Sequence, residues 1–136
     1  MSKFQQMYKE KLVTAEEAVK KVKSGDWIDW AMFNGKPVEL DKALAARKDE
    51  LSDIKIMAAV TVPPVPEVVQ KDPKGEVFTY NDQHFSLLTR MLQEMCGGVF
   101  YQPTLYGESE LYVTNGMNDP KKAGTPLRDH FMAQVT

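Results

Sequence analysis

Asn34, Gly35, Lys36 and Pro37 form the stretch of this sequence best suited to hold an anion. They follow an alternating apolar run and precede an apolar stripe at helical spacing. A glycine turn at a helix N-terminus directs free backbone amides and the positive end of the helix dipole at one spot. A phosphate, a carboxylate or a developing oxyanion would be stabilised there. A single glycine fits neither the dinucleotide fingerprint nor the P-loop pattern, and any α/β protein has several such turns, so a purely structural turn stays open. The other reactive side chains are scattered. His84 and His130 are the two imidazoles and stand far apart, without a cysteine at metal-ligand spacing, so no metal site is expected. Cys96 is the single cysteine; it rules out an internal disulfide and reads as an inert thiol at the end of a Met-rich helix. Glu94, Glu108 and Glu110 lie nearest glycine turns, but nothing in the sequence marks one as a nucleophile. Lys20, Lys21 and Lys23 read as one solvated helix face.

The elements that must position these residues are legible from periodicity. Thr14 with Glu17 predicts a reciprocal helix cap, and Ala15, Ala18, Val19 and Val22 form the apolar stripe of a helix that ends at Ser24 and Gly25. Residues 26 to 33 alternate as a strand, with Ile28, Trp30 and Met32 on one side. Pro37 suits the first turn of the next helix, whose buried face is Leu40, Ala43 and Leu44. Ile54, Ile56, Ala58, Val60 and Val62 predict a nine-residue second strand, stopped by Pro63, Pro64 and Pro66. Past a polar stretch, residues 76 to 80 read as a short third strand and Asn81 or Asp82 as a helix cap. Phe85, Leu88, Met91, Leu92 and Met95 then fall at helical spacing, with Met91 and Met95 expected in the core, and Gly97-Gly98 supplies the stop. Residues 99 to 102 predict a fourth strand, 108 to 113 a helical turn before a turn at Asn115-Gly116, 117 to 127 a loop, and 130 to 135 a fifth strand.

Alternating helix and strand patterns predict an α/β fold with a mostly parallel sheet flanked by helices. The chain has 136 residues, 43% of them hydrophobic, enough for one domain with its own core. A net charge of −2 argues against a general nucleic-acid backbone binder. The opening residues lack the apolar segment of a signal peptide, and no apolar run approaches the length of a membrane span. A cytoplasmic protein is expected. Because the last strand pattern runs to the chain end, residues 1–136 are expected to be one domain truncated at its C-terminus.

The wording of the chain is more specific than its physics. TAEEAVKKVKSGDWIDW followed by NGKPVELDKALAAR closely resembles the opening of the acetyl-CoA hydrolase/transferase family, which includes butyryl-CoA:acetate and 4-hydroxybutyrate CoA-transferases. Looser matches are Asn81, His84, Ser86 and Arg90 in YNDQHFSLLTRML, Pro103, Tyr106 and Glu108 in FYQPTLYGESE, and FMAQV. The chain departs from the family in having Ala31 where a glycine is usual, and Gly107-Glu108 where a Ser-Glu pair is usual.

The resemblance implies the N-terminal half of a two-half CoA-transferase fold and a ping-pong exchange of CoA between a short-chain acyl-CoA and a carboxylate such as acetate. A glutamate carboxylate attacks the thioester, giving an acyl-glutamyl anhydride and then an enzyme-CoA thioester that the incoming carboxylate resolves. In similar proteins that glutamate lies in a later part of a longer chain, so no catalytic residue is expected here and the fragment alone is expected to be inactive. By the same analogy the turn Asn34, Gly35, Lys36, Pro37 would face the substrate, with Gly35 serving through its backbone freedom. Asn81, His84, Tyr106 and Glu108 would line the active-site wall. Coenzyme A enters as substrate, with no resident cofactor. The C-terminal half of the same enzyme and further copies in a homo-oligomer would be the partners, with neither nucleic acid nor membrane. An acyl-CoA hydrolase and a non-catalytic CoA-binding or interaction domain are the alternatives.

Overall fold

The computed structural model describes residues 2–103, 105 and 131–132. Its helices are α1 (Lys3–Lys11), α2 (Ala15–Val19), α3 (Val38–Ala45), α4 (Glu67–Lys71) and α5 (Leu87–Cys96). Its strands are β1 (Trp27–Met32), β2 (Ile54–Ala59), β3 (Phe78–Asp82), β4 (Val99–Tyr101) and β5 (Phe131–Met132). The strands form one parallel sheet in the order β4-β3-β2-β1-β5, so the α/β fold expected from the alternating pattern is the one observed. Ile28, Ile56, Tyr80 and Val99 are in register across β1 to β4 and therefore share a face. Trp30, Ile54, Ala58 and Phe78 join them, and Val19 and Val22 with residues of the following helices, Leu44, Val68, Val69 and Leu92, close the core. The opposite face is more polar, carrying Asp29, Lys55, Thr79 and Asn81 beside Trp27 and Met57.

Long-range hydrogen bonds move several boundaries from where periodicity puts them. At α2, Thr14 Oγ1 accepts from the Glu17 amide at 3.2 Å, half of the expected reciprocal cap. The helix stops at Val19, and Val22 stays buried through a tighter turn onto the Val19 carbonyl. Arg47 Nη1 donates to the carbonyls of Val19 and Val22 and so satisfies this early end. Pro37 sits at the N-cap of α3, one place before the helix. Strand β2 ends at Ala59 instead of Val62, because Val60 turns into the left-handed region (φ 53°) and its amide, with that of Thr61, is taken by the Asp82 carboxylate. The stretch after the prolines contains α4, which no local pattern announces. Strand β3 begins at Phe78 and runs through Asn81 and Asp82, so neither caps α5. Ser86 does, accepting from the Thr89 amide at 3.2 Å.

Met32, Met91 and Met95 are exposed, against expectation. The register of β1 on β2 slips between Asp29 and Met32, where Ala31 has φ 60°, and this bulge turns Met32 out of the core. Helix α5 lies at the edge beside β4 and buries the side carrying Thr89 and Leu92, which leaves Leu87, Met91 and Met95 in solvent. Gly97 caps α5 in the left-handed conformation (φ 77°), as its sequence position suggested. Helix α1 carries a complete Ser2–Gln5 capping box and buries none of its residues. Phe131–Met132 pairs with β1, in agreement with a strand there. The expected helical turn at 108 to 113, the Asn115-Gly116 turn and the loop at 117 to 127 fall outside the described residues.

Asp72 fixes the start of β3. Its buried carboxylate accepts from the Val77 and Phe78 amides at 2.7 and 2.8 Å and pairs with Lys48 at 3.1 Å. Burial pushes the carboxyl up, but the two amides and Lys48 outweigh it and hold it below the ordinary carboxylate value. A depressed folded-state pKa supplies stability above the unfolded pKa of about 3.9 and loses it as pH falls through the folded value. Asp72→Asn is therefore expected to lower stability at pH 7 by about 1–3 kcal/mol, with the gap from the parent closing below about pH 4. Urea titrations across that range test this, and a gap that widens on acidification refutes it.

Candidate functional site

All five strands run parallel, so the segments that leave them emerge at one edge, the carboxyl edge of the sheet. Ligands of open α/β sheets bind along that edge, at a point where strand order reverses. Here the order reverses at β1, whose neighbours are β2 on one side and β5 on the other. The segments at this edge are residues 33–37 after β1, 60–66 after β2, 83–86 after β3 and the start of the chain after β4.

The first segment opens with a 3-10 turn, Phe33–Gly35. Asn34 and Phe33 are exposed, while Lys36 and Pro37 are buried, so the four residues of the turn do not act as one surface. Gly35 has no left-handed φ, and a Cβ on it would meet only the Ala31 Cβ at an ordinary 3.5 Å. Backbone freedom is thus not what Gly35 contributes. The left-handed positions are Ala31 and Phe33, on either side of Met32. Lys36 turns inward and donates from Nζ to the carbonyls of Val62 (3.2 Å) and Pro64. Burial draws its ammonium below the ordinary lysine value, while nearby Asp41 acts the other way. Helix α3 begins directly behind this turn, with its positive dipole end at the carboxyl edge.

Segment 60–66, which contains a cis Pro63-Pro64 bond, lies between the other two. Asp82, fully buried, accepts from Val60 at 2.9 Å, Thr61 at 3.2 Å and His84 at 3.3 Å. The Val60 amide also reaches the His84 carbonyl at 3.1 Å. The Thr61 and Tyr80 hydroxyls meet at 2.9 Å, and Ser86 Oγ donates to the Thr61 carbonyl. Burial pushes the Tyr80 phenol well above its ordinary value, so it stays protonated and serves as a neutral hydrogen-bonding group.

His84 sits on the 83–86 segment with its side chain exposed. Asn81 is buried on the opposite sheet face from the helices, donating to the Ile56 and Thr79 carbonyls at 3.4 and 3.3 Å. Asn34 and His84 therefore share one edge, separated by the 60–66 segment, whereas Asn81 lies below it on a sheet face. Cys96 and Glu94 belong to the far end of α5, next to the start of β4, away from this edge. Tyr106, Glu108, Glu110 and His130 lie outside the described residues. Among the described residues no three His, Cys, Asp or Glu side chains are grouped as metal ligands would be.

Several residues that shape the edge were not singled out by sequence. Asp82 passed for a helix cap, and its role depends on two segments folding back onto it. Asp29, half-buried midway along β1, accepts from the Ala31 amide at 2.7 Å, and burial raises its carboxyl above the ordinary value despite that bond. A charged residue inside an apolar strand, Trp27-Ile28-Asp29-Trp30, was the available signal. The edge as a whole offers a helix dipole, an exposed Asn34, an exposed His84 and exposed aromatic surface at Phe33 and Tyr101, a shape suited to a polar ligand with an apolar part.

A family model described as the acetyl-CoA hydrolase/transferase N-terminal domain matches residues 1–125. The chain is 40% identical over 113 residues to a butyryl-CoA:acetate CoA-transferase of Anaerostipes caccae, covering 82% of this chain and 25% of the relative. It is 38% identical over 104 residues to a probable butyrate:acetyl-CoA coenzyme A-transferase of Syntrophomonas wolfei, covering 76% of this chain and 23% of that one. It thus spans about a quarter of the length of these curated relatives. The crystal structure of RipA from Yersinia pestis has a similar fold, with a TM-score of 0.69 at 22% identity, over 91% of this chain and 29% of RipA.

Proposed function

The chain belongs to the acetyl-CoA hydrolase/transferase family, matching its N-terminal domain, and from that premise we propose that it is one part of an enzyme that moves CoA between a short-chain acyl-CoA and a carboxylate such as acetate. The observation that carries this reading is the 40% identity, over most of the chain, to a protein named as a butyryl-CoA:acetate CoA-transferase. Residues 1–136 form the N-terminal domain in this reading, and their carboxyl edge is one wall of the acyl-CoA site. The α3 dipole and Asn34 face the thioester or the acyl group and His84 shares their edge; Tyr106 and Glu108 are assigned to the same wall by the family resemblance, while Asn81, buried on the sheet face below, supports it from beneath. The attacking glutamate belongs to a C-terminal half outside these residues, and the assembled enzyme is a homo-oligomer. The glutamate carboxylate attacks the thioester carbonyl and expels CoA as its thiolate, leaving an acyl-glutamyl anhydride. The thiolate then attacks the glutamyl carbonyl, freeing the first carboxylate and leaving an enzyme-CoA thioester for the acceptor. Coenzyme A is a substrate throughout, and no resident cofactor or metal takes part.

The full-length protein should exchange labelled acetate into butyryl-CoA with little release of free CoA. Residues 1–136 alone should not turn over. Release of free CoA at the same rate with acetate omitted would replace transfer by hydrolysis, and exchange at an enzyme-like rate by residues 1–136 would end the proposed division of labour. Saturable CoA binding with no turnover by the full-length protein would leave a non-catalytic CoA-binding domain.

A further inference from the structure

Lys36 holds together two segments of the carboxyl edge that share no covalent link there. It is 8% exposed, in the segment after β1, yet its ammonium donates to two carbonyls of the next segment, Val62 at 3.2 Å and Pro64. The other side of that segment is held by Asp82, through the amides of Val60 and Thr61. Segment 60–66 is thus fastened from both flanks, by a cation acting on its carbonyls and an anion acting on its amides. The fastening is needed because the segment has left the β-ladder and three of its residues are prolines, which have no amide hydrogen to donate. Two carbonyls aimed at one buried point would be left unsatisfied without a donor there.

We propose that Lys36 is a positioning residue: it does not meet the substrate but sets the height of segment 60–66 over the strand ends, between the surfaces carrying Asn34 and His84. This rests on the reading of the carboxyl edge as the acyl-CoA wall. Misplacing a wall by about 1 Å can cost about 100-fold in rate, and Lys36 is the side chain that prevents it.

The test compares Lys36→Met and Lys36→Gln in the full-length protein, by amide hydrogen exchange and by CoA-exchange kinetics. Lys36→Met should speed exchange in residues 60–65 by about tenfold or more while the 54–58 peptide stays protected. It should also lower kcat/KM by about 10- to 100-fold. Lys36→Gln, a neutral side chain that still donates, should fall between the Met variant and the parent. The salt dependence of KM should be the same in all three, because no substrate charge is paired with Lys36. Unchanged exchange in residues 60–65 overturns the proposal. So do equal losses in the two variants with a flattened salt dependence, which would mean that Lys36 pairs with a CoA phosphate. If the Met variant unfolds, the Gln variant decides by the same readouts. A parent protein that moves no CoA would refute the transferase reading, and the exchange of residues 60–65 would still decide what Lys36 holds.

Discussion

Asp41→Ala is expected to unfold this domain or leave it barely stable. The Asp41 carboxylate is 2% exposed and collects three donors from two other elements: the Trp30 indole of β1 at 3.3 Å and the Glu67 and Val68 amides at the start of α4, at 2.6 and 3.4 Å. It is the cap of a helix that has none of its own, since Pro66 at the N-cap of α4 offers no side-chain acceptor. Removing it orphans all three donors and leaves the nearby Lys36 ammonium without its counter-charge. Breaking a buried charged network of this kind costs about 3–5 kcal/mol, against a total stability of about 5–15 kcal/mol. Burial pushes the Asp41 carboxyl up, ahead of the lowering by the two amides, the indole and Lys36. A raised folded-state pKa makes its contribution largest at acid pH and smaller as pH rises through that value, the reverse of Asp72. The acceptor geometry therefore matters more than the charge, and Asp41→Asn should cost clearly less than Asp41→Ala. Urea denaturation of the three proteins measures this. A loss under 1 kcal/mol for the alanine variant would mean that α4 is held by something else.

Gly98→Ala is expected to be the most damaging single-methyl addition in the α5–β4 connection. A Cβ on Gly98 would stand 2.6 Å from both the Gly75 nitrogen and the Pro73 oxygen, and 2.9 Å from the Lys74 carbonyl carbon. All three are backbone atoms of the turn leading into β3, so no side-chain rotamer relieves the clash. The close approach exists because the Gly98 amide donates to the Pro73 carbonyl at 3.0 Å while its own carbonyl accepts from Tyr80. Either β4 leaves β3 or the turn moves, and the cost should reach about 3 kcal/mol, the upper end of overpacking. Gly97→Ala is the informative contrast. Its added Cβ meets nothing within 4 Å, and only the left-handed φ of 77° resists it, a penalty of about 1–2 kcal/mol. Thermal melts of the two variants should differ by several degrees, with Gly98→Ala the lower. Equal melting temperatures would show that the turn at residues 73–75 yields freely.

The two glycines illustrate how far the sequence could be read. As a pair they announce a helix end, and Gly97 is that end. Nothing local says that the second is a point of contact between two backbones, because Pro73 reaches Gly98 only through the parallel pairing of β3 with β4. Met91 and Met95 teach the same lesson on a helix surface. Their spacing places them with Leu88 and Leu92 on a broad apolar stripe, but the share of that stripe that is buried depends on how the helix lies on the sheet. Asn34 and His84 could be noticed individually; that they stand at one edge follows from the strands being parallel, which the alternation of helices and strands had already implied.

By itself the sequence determined the alternation of helices and strands, the apolar sides of β1 and β2, the glycine end of α5 and, through its wording, the family. These rest on short-range physics, the 2.0 and 3.6 periodicities and the reach of one side chain to a nearby amide. Tertiary structure alone decided where β2 stops, that α4 exists, that Lys36 points inward and that Asp82 belongs to a strand. Each of those depends on a buried donor or acceptor satisfied across the fold, as the Glu67 amide is by Asp41 from 26 residues away. Such groups must be paired once water is excluded, and the partner is chosen by which segments the sheet brings together.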